Sequence, residues 1–120
     1  MKRPCLPVAV CCLLASCHPA SAFESRGARS CVAWQEYRLD EKAGLPRNAE
    51  VYQTWVIGYL SGIVAGSGMD FFTGTDNETV FRMIDTYCGE DPRLNLAGAG
   101  IAVARQLMRE KGIINRPTLP

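Results

Sequence analysis

Histidine is almost missing from this chain: His18 is the only one in 120 residues. It falls in an N-terminal stretch that reads as an export signal, so the processed chain is expected to have none. Without it there is no Ser-His-Asp or Cys-His nucleophile, and the commonest zinc ligand is gone. The sequence has no basic surplus and no basic run, which speaks against a nucleic-acid footprint. No apolar run reaches the roughly 20 residues that cross a bilayer. There is no β-alternation, no internal repeat, no low-complexity tract and no C-x-x-C pair. These gaps predict no catalytic group, no metal and no cofactor.

What is present begins with an address. Met1, Lys2 and Arg3 form a basic start, residues 6–15 are apolar, and Ala20-Ser21-Ala22 offers a small-x-small cleavage site. Residues 1–22 therefore read as a signal peptide, and the destination is the periplasm or the exterior. A second processing site competes. Leu14-Ala15-Ser16-Cys17 has the form of a lipobox, in which a lipidated Cys17 would become the first residue and anchor the protein to a membrane. Cleavage after Ala22 is the favoured reading. It removes Lys2 and Arg3, so 13 basic residues become 11 against 12 acidic ones, a net charge of about −1. The remaining chain of about 98 residues suits one small domain.

Six cysteines then reduce to two. Cys5, Cys11, Cys12 and Cys17 lie in the discarded segment. Cys31 and Cys88 remain, and in an oxidising compartment they are predicted to bond to each other. The chain-entropy model assigns a bridge over a loop of about 58 residues roughly 4 kcal/mol.

Periodicity divides the rest into four helices. Residues 23–29 read as a flexible leader, 30–112 as an all-α domain, and 113–120 as a tail. Ser30 is a candidate N-cap for a first helix to about residue 40, with Cys31, Trp34 and Tyr37 or Arg38 on one face. A break at residues 43–48, rich in Gly and Pro, precedes a second helix over 49–66. Thr75-Asp76-Asn77-Glu78 has capping-box form, with Thr75 as cap and Glu78 reaching back. Val80, Phe81, Ile84, Tyr87 and Cys88 follow at helical spacing, and Gly89 is the expected stop. Asn95 is expected to cap a fourth helix that points Leu96, Ala99 or Gly100, Val103 and Leu107 inward and ends near Lys111-Gly112.

The second helix carries the most unusual pattern. Val51, Trp55, Tyr59 and Ile63 mark one face, and Val56, Leu60 and Val64 the next. Gly58, Gly62 and Gly66 form a small-xxx-small stripe, although each interior glycine costs about 0.5–1 kcal/mol relative to alanine. The stripe predicts close backbone approach, within the chain or across a homodimer. Phe71 and Phe72 follow in a loop flanked by glycines. A lid over the core is their favoured reading, and an exposed contact patch is the alternative. Trp55, Gly58, Gly62, Gly66, Phe71 and Phe72 are thus the candidate interface residues.

Cys31-x-x-Trp34, Trp55-Val-Ile-Gly58-Tyr59-Leu-Ser-Gly62, Asp85-Thr-Tyr87-Cys88 and Pro92 resemble a group of small exported bacterial proteins. The group includes the Rap/Tai-type immunity proteins of type VI secretion and the HdeA-type acid-stress chaperones. The resemblance implies a helical domain with a disulfide, a protein partner and frequent dimerisation. Rap/Tai-type proteins often carry a further C-terminal cysteine, whereas no cysteine follows Cys88 here.

Three functions are then ordered. A binding protein of the immunity type, with no reaction chemistry, ranks first. An acid-activated holdase ranks second: near pH 2 the carboxylates neutralise, and 11 bases against none leave a net charge of about +11. A hydrolase built on carboxylates such as Asp70, Asp76 or Asp85 ranks last.

Overall fold

Three short polar side chains start three of the four helices among the described residues. The computed structural model describes residues 25–45 and 49–114; the segment expected to be a signal peptide, Cys17 and the end of the tail lie outside the described residues. Helix α1 spans Cys31–Lys42, α2 Ala49–Ser67, α3 Asn77–Glu90 and α4 Leu96–Glu110. Ser30 Oγ accepts from Ala33 N–H, Asp76 from Thr79 N–H, and Asn95 from Gly98 N–H. Each satisfies one of the donors that a helix start leaves without an intrahelical partner.

Ser30 and Asn95 therefore act as the sequence predicts, and α3 departs from expectation by one residue. Asp76, not Thr75, is its cap, because the ionised carboxylate is the stronger acceptor at a helix N-terminus. Glu78 is then free of the expected reciprocal bond and pairs elsewhere. The stop also moves. Gly89 lies inside α3, which runs on to Glu90 with Asp91 as its C-cap. Gly112 does fill the expected role after α4, with φ +68°.

Helix α4 packs against all three others. Helix α1 also touches both α2 and α3, while α2 and α3 make little contact with each other. The core between them holds Trp34, Val56, Leu60, Phe71, Val80, Ile84, Leu96 and Val103, each almost completely buried. The inward residues expected of α3 and α4 are there. Both Tyr37 and Arg38 of α1 are buried too. Tyr87 is half-buried and donates from its hydroxyl to Gln106 of α4 at 2.9 Å.

Cys31 and Cys88 are bonded, fixing the start of α1 to the end of α3. Beside them the chain makes a single antiparallel bridge between Ser30 and Asn95. Cys31 N–H donates to Leu94 O at 2.9 Å and Leu96 N–H to Arg29 O at 2.8 Å. No strand forms among the described residues.

The part of the leader that is described is held at two points. Arg29 takes part in that bridge, and Arg26 O accepts from Trp55 Nε1 at 3.2 Å. Gly27 lets the chain pass this close: its φ is +79°, and a Cβ there would sit 2.9 Å from Trp55 Nε1.

Candidate interaction surface

Arg38 is the centre of a cluster of ion pairs. Arg38 is 8 % exposed, and its guanidinium serves three carboxylates. Its Nε donates to both oxygens of Asp85 at 3.1 Å, and Nη2 donates to Asp85 Oδ2 at 3.0 Å. Nη1 reaches Glu41 at 2.7 Å, and Nη2 also reaches Glu78 at 2.9 Å. Trp34 Nε1 donates to Asp85 at 2.7 Å, and its ring lies 5.8 Å from the guanidinium carbon. Glu41 accepts in addition from Gln53 of α2 at 3.1 Å. Burial works against the Arg38 charge, yet the bonds to Asp85 and Glu78 outweigh it and hold the group above its ordinary value. Next to this hub the Tyr37 hydroxyl is buried and has no hydrogen-bond partner among the described residues. Burial, reinforced by the nearby Glu41 charge, pushes it up to about 12.

Each of the three carboxylates considered for hydrolysis has hydrogen-bond partners within its own surroundings. Asp85 is occupied by Arg38 and Trp34 rather than Arg82, which bonds Thr79 instead. Asp76 caps α3. Nine residues separate it from Asp85, about 14 Å along a helix axis, which exceeds the roughly 5–9.5 Å between paired catalytic carboxylates. Asp70 closes the loop after α2, accepting from Phe72 N–H, Thr73 N–H and the Thr73 hydroxyl. Among the described residues no three His, Cys, Asp or Glu side chains gather where they could hold a metal ion.

The turn made by Asp70 settles the two phenylalanines. Phe71 is fully buried and Phe72 half-buried, their rings 5.1 Å apart. Phe71 is therefore part of the core, and Phe72 is the member of the pair that keeps some exposure.

Helix α2 presents the open surface. Val56 and Leu60 enter the core. Thr54, Gly58, Ser61, Gly62, Ala65 and Gly66 are exposed. A Cβ added at Gly58, Gly62 or Gly66 would meet nothing within 4 Å. Among the described residues the stripe therefore meets no other backbone, so the close approach expected within the chain is not made there. Close approach occurs at a glycine of α4 instead. A Cβ on Gly100 would lie 3.1 Å from Tyr59 Cδ1, so α4 packs its backbone against that ring. The two serines of α2 turn their hydroxyls back onto the helix, Ser61 to Ile57 O and Ser67 to Ile63 O, each at 2.7 Å. The open face is thus smoother and less polar than its composition suggests.

A depression flanks this face on each side. A cleft of about 420 Å³ lies between α2 and α3, lined by Thr54, Ile57, Gly58, Asn77 and Phe81 among others. A groove of about 520 Å³ lies between α2 and α4, with Tyr59, Ile63, Ile101, Ala104 and Met108 in its walls, Ile114 at one end and Arg105 as its one charged group. Trp55 is half-buried and stacks on Tyr59 at 5.0 Å, next to the groove. The groove was hidden from sequence reasoning because its walls come from helices some 40 residues apart. No described helix is long and apolar enough to cross a membrane.

No protein-family model, curated protein or solved structure matches the chain.

Proposed function

We propose that this is an exported, disulfide-braced protein of the bacterial envelope that acts by binding another protein, in the manner of an immunity protein. The observation that carries the reading is the open face of α2. Three glycines weaken a helix that needs none of them to pack against the other described residues, and a partner backbone that approaches closely accounts for that cost. A second copy of the chain is one such partner and a separate protein is another.

The test starts from protein purified from the envelope. Intact mass separates a chain beginning at Phe23 from one beginning at a lipidated Cys17. Used as bait on envelope extract, the protein is expected to retain a stoichiometric partner, and Gly62→Leu is expected to lose it while remaining folded. Repeated recovery of no partner, or a partner held equally well by the variant, rejects the reading.

A second reading, an acid-activated holdase, is favoured by the Arg38 hub. The buried Arg38 guanidinium of α1 is ion-paired with Glu41 and, across to α3, with Glu78 and Asp85, and a buried cation deprived of its anionic partners destabilises a fold. A client-aggregation assay at pH 2–3, with the Cys31–Cys88 bond intact, decides it. Failure to protect clients there removes this alternative.

A further inference from the structure

The groove between α2 and α4 has the chemistry of a ligand site, separate from the glycine face. Its walls are almost wholly aliphatic and aromatic, and its volume of about 520 Å³ falls within the range of roughly 300–1,000 Å³ typical of small-molecule sites. Ala104 and Met108 form buried parts of the wall, while Tyr59, Ile63, Ile101 and Ile114 are half-exposed around them.

Charge decides what fits. Arg105 is exposed at the groove and makes no ion pair or hydrogen bond among the described residues. Its helical neighbours at three and four positions are Ile101, Ala102, Met108 and Arg109, none of them acidic. The opposite wall contributes no charge, because Glu50 is the only charged residue of α2 and lies in its first turn. The helix dipole accounts for Arg109 in the last turn of α4, but its influence has faded by the position of Arg105. The Tyr59 hydroxyl also makes no hydrogen bond among the described residues, so the groove offers a second polar group.

We propose that this groove binds a single-chain amphiphile with an anionic head, a long-chain carboxylate, with the chain along Tyr59, Ile63, Ile101 and Met108 and the head at Arg105. A second copy of the chain suits the groove less well. A two-fold interface sets the same patch against itself, and neither wall of the groove supplies a carboxylate to pair with the Arg105 of the other copy.

The proposal is tested by calorimetric titration of the protein with dodecanoate below its micellar concentration. Dodecyltrimethylammonium, with the same chain and the opposite charge, and acetate, with the head and no chain, run in parallel. One-to-one binding of dodecanoate is expected, with both controls at least about tenfold weaker. Arg105→Gln should weaken dodecanoate by about tenfold or more, and Ile101→Trp, which fills the groove, should abolish binding. Arg105 is exposed, so its variant stays folded and decides the matter even if Ile101→Trp does not fold. Emission from Trp55, stacked on Tyr59, should change with the same midpoint. The proposal is overturned by an absence of saturable dodecanoate binding, by equal binding of the cationic analogue, or by an unchanged Arg105→Gln. A dimer seen by sedimentation that buries the groove and that dodecanoate does not dissociate also overturns it.

Discussion

Asp85 of α3 accepts hydrogen bonds from two side chains of α1, Trp34 Nε1 at 2.7 Å and Arg38 Nε at 3.1 Å, and so joins the two helices. Removing it leaves a buried indole N–H and a buried guanidinium short of a partner. Asp85→Ala is expected to lower unfolding free energy by about 2–4 kcal/mol, measured by chemical denaturation. Arg93→Ala, which breaks the exposed pair with Asp91, should leave stability unchanged within error. Equal effects from the two variants would contradict the role given to the hub.

The bridge between Cys31 and Cys88 closes a separation of 57 residues. Replacing both cysteines by serine should cost about 4 kcal/mol, a large part of the 5–15 kcal/mol of a typical domain. Denaturant titrations with and without reductant measure this. A fully stable reduced form would show that packing alone holds α1 to α3.

Glycine substitutions should separate two environments. Gly58→Ala and Gly62→Ala, which meet nothing, are expected to raise the stability of the isolated chain by about 0.5–1 kcal/mol each. Gly100→Val is expected to lower it by about 2 kcal/mol or more, since its side chain would press on Tyr59. Thermal unfolding monitored by circular dichroism distinguishes these outcomes.

Tyr37 sets an alkaline limit. Its folded value of about 12 lies above the ordinary 10, so the neutral hydroxyl is favoured in the fold. That contribution is complete below pH 10 and disappears as pH rises towards 12. Tyr37→Phe should flatten the loss of stability over that window. It should also add about 1 kcal/mol at neutral pH, because it deletes a buried hydroxyl that has no partner among the described residues.

The start of α3 gives an acid counterpart. Bonds from Thr79 hold the Asp76 carboxyl below its usual range. Its contribution is therefore present above the ordinary carboxyl value and is lost as pH falls through the lower folded one. Asp76→Ala should reduce the melting temperature by a few degrees at pH 7 and by less at pH 2. Thr75→Ala should have little effect at either pH.

Local signals in this sequence were readable, and contacts between distant segments were not. Helical spacing located all four helices, and Ser30 and Asn95 stood out as caps because a cap acts within three residues. Thr75 and Asp76 are neighbours of similar capping ability, so pattern alone left the choice a residue off. The partners of Asp85 lie 47 and 51 residues away, and only the packing of α1 on α3 brings them together. The glycine spacing of α2 was plain, but whether a backbone lies opposite depends on where the other helices go. The groove at Arg105 depends in the same way on how α2 meets α4.

The bridge between Ser30 and Asn95 carries a consequence for the order of assembly. The backbone at the start of the first helix is bonded to the backbone at the start of the last, and the cysteine beside it waits for another 57 residues on. A chain emerging N-terminus first has α1 and α2 available long before either tie has anything to join. The first helix is therefore the first to be synthesised and among the last to be secured. Until residue 96 has appeared, the docking site of Trp34 stays incomplete and its large apolar surface is open to whatever accompanies the growing chain.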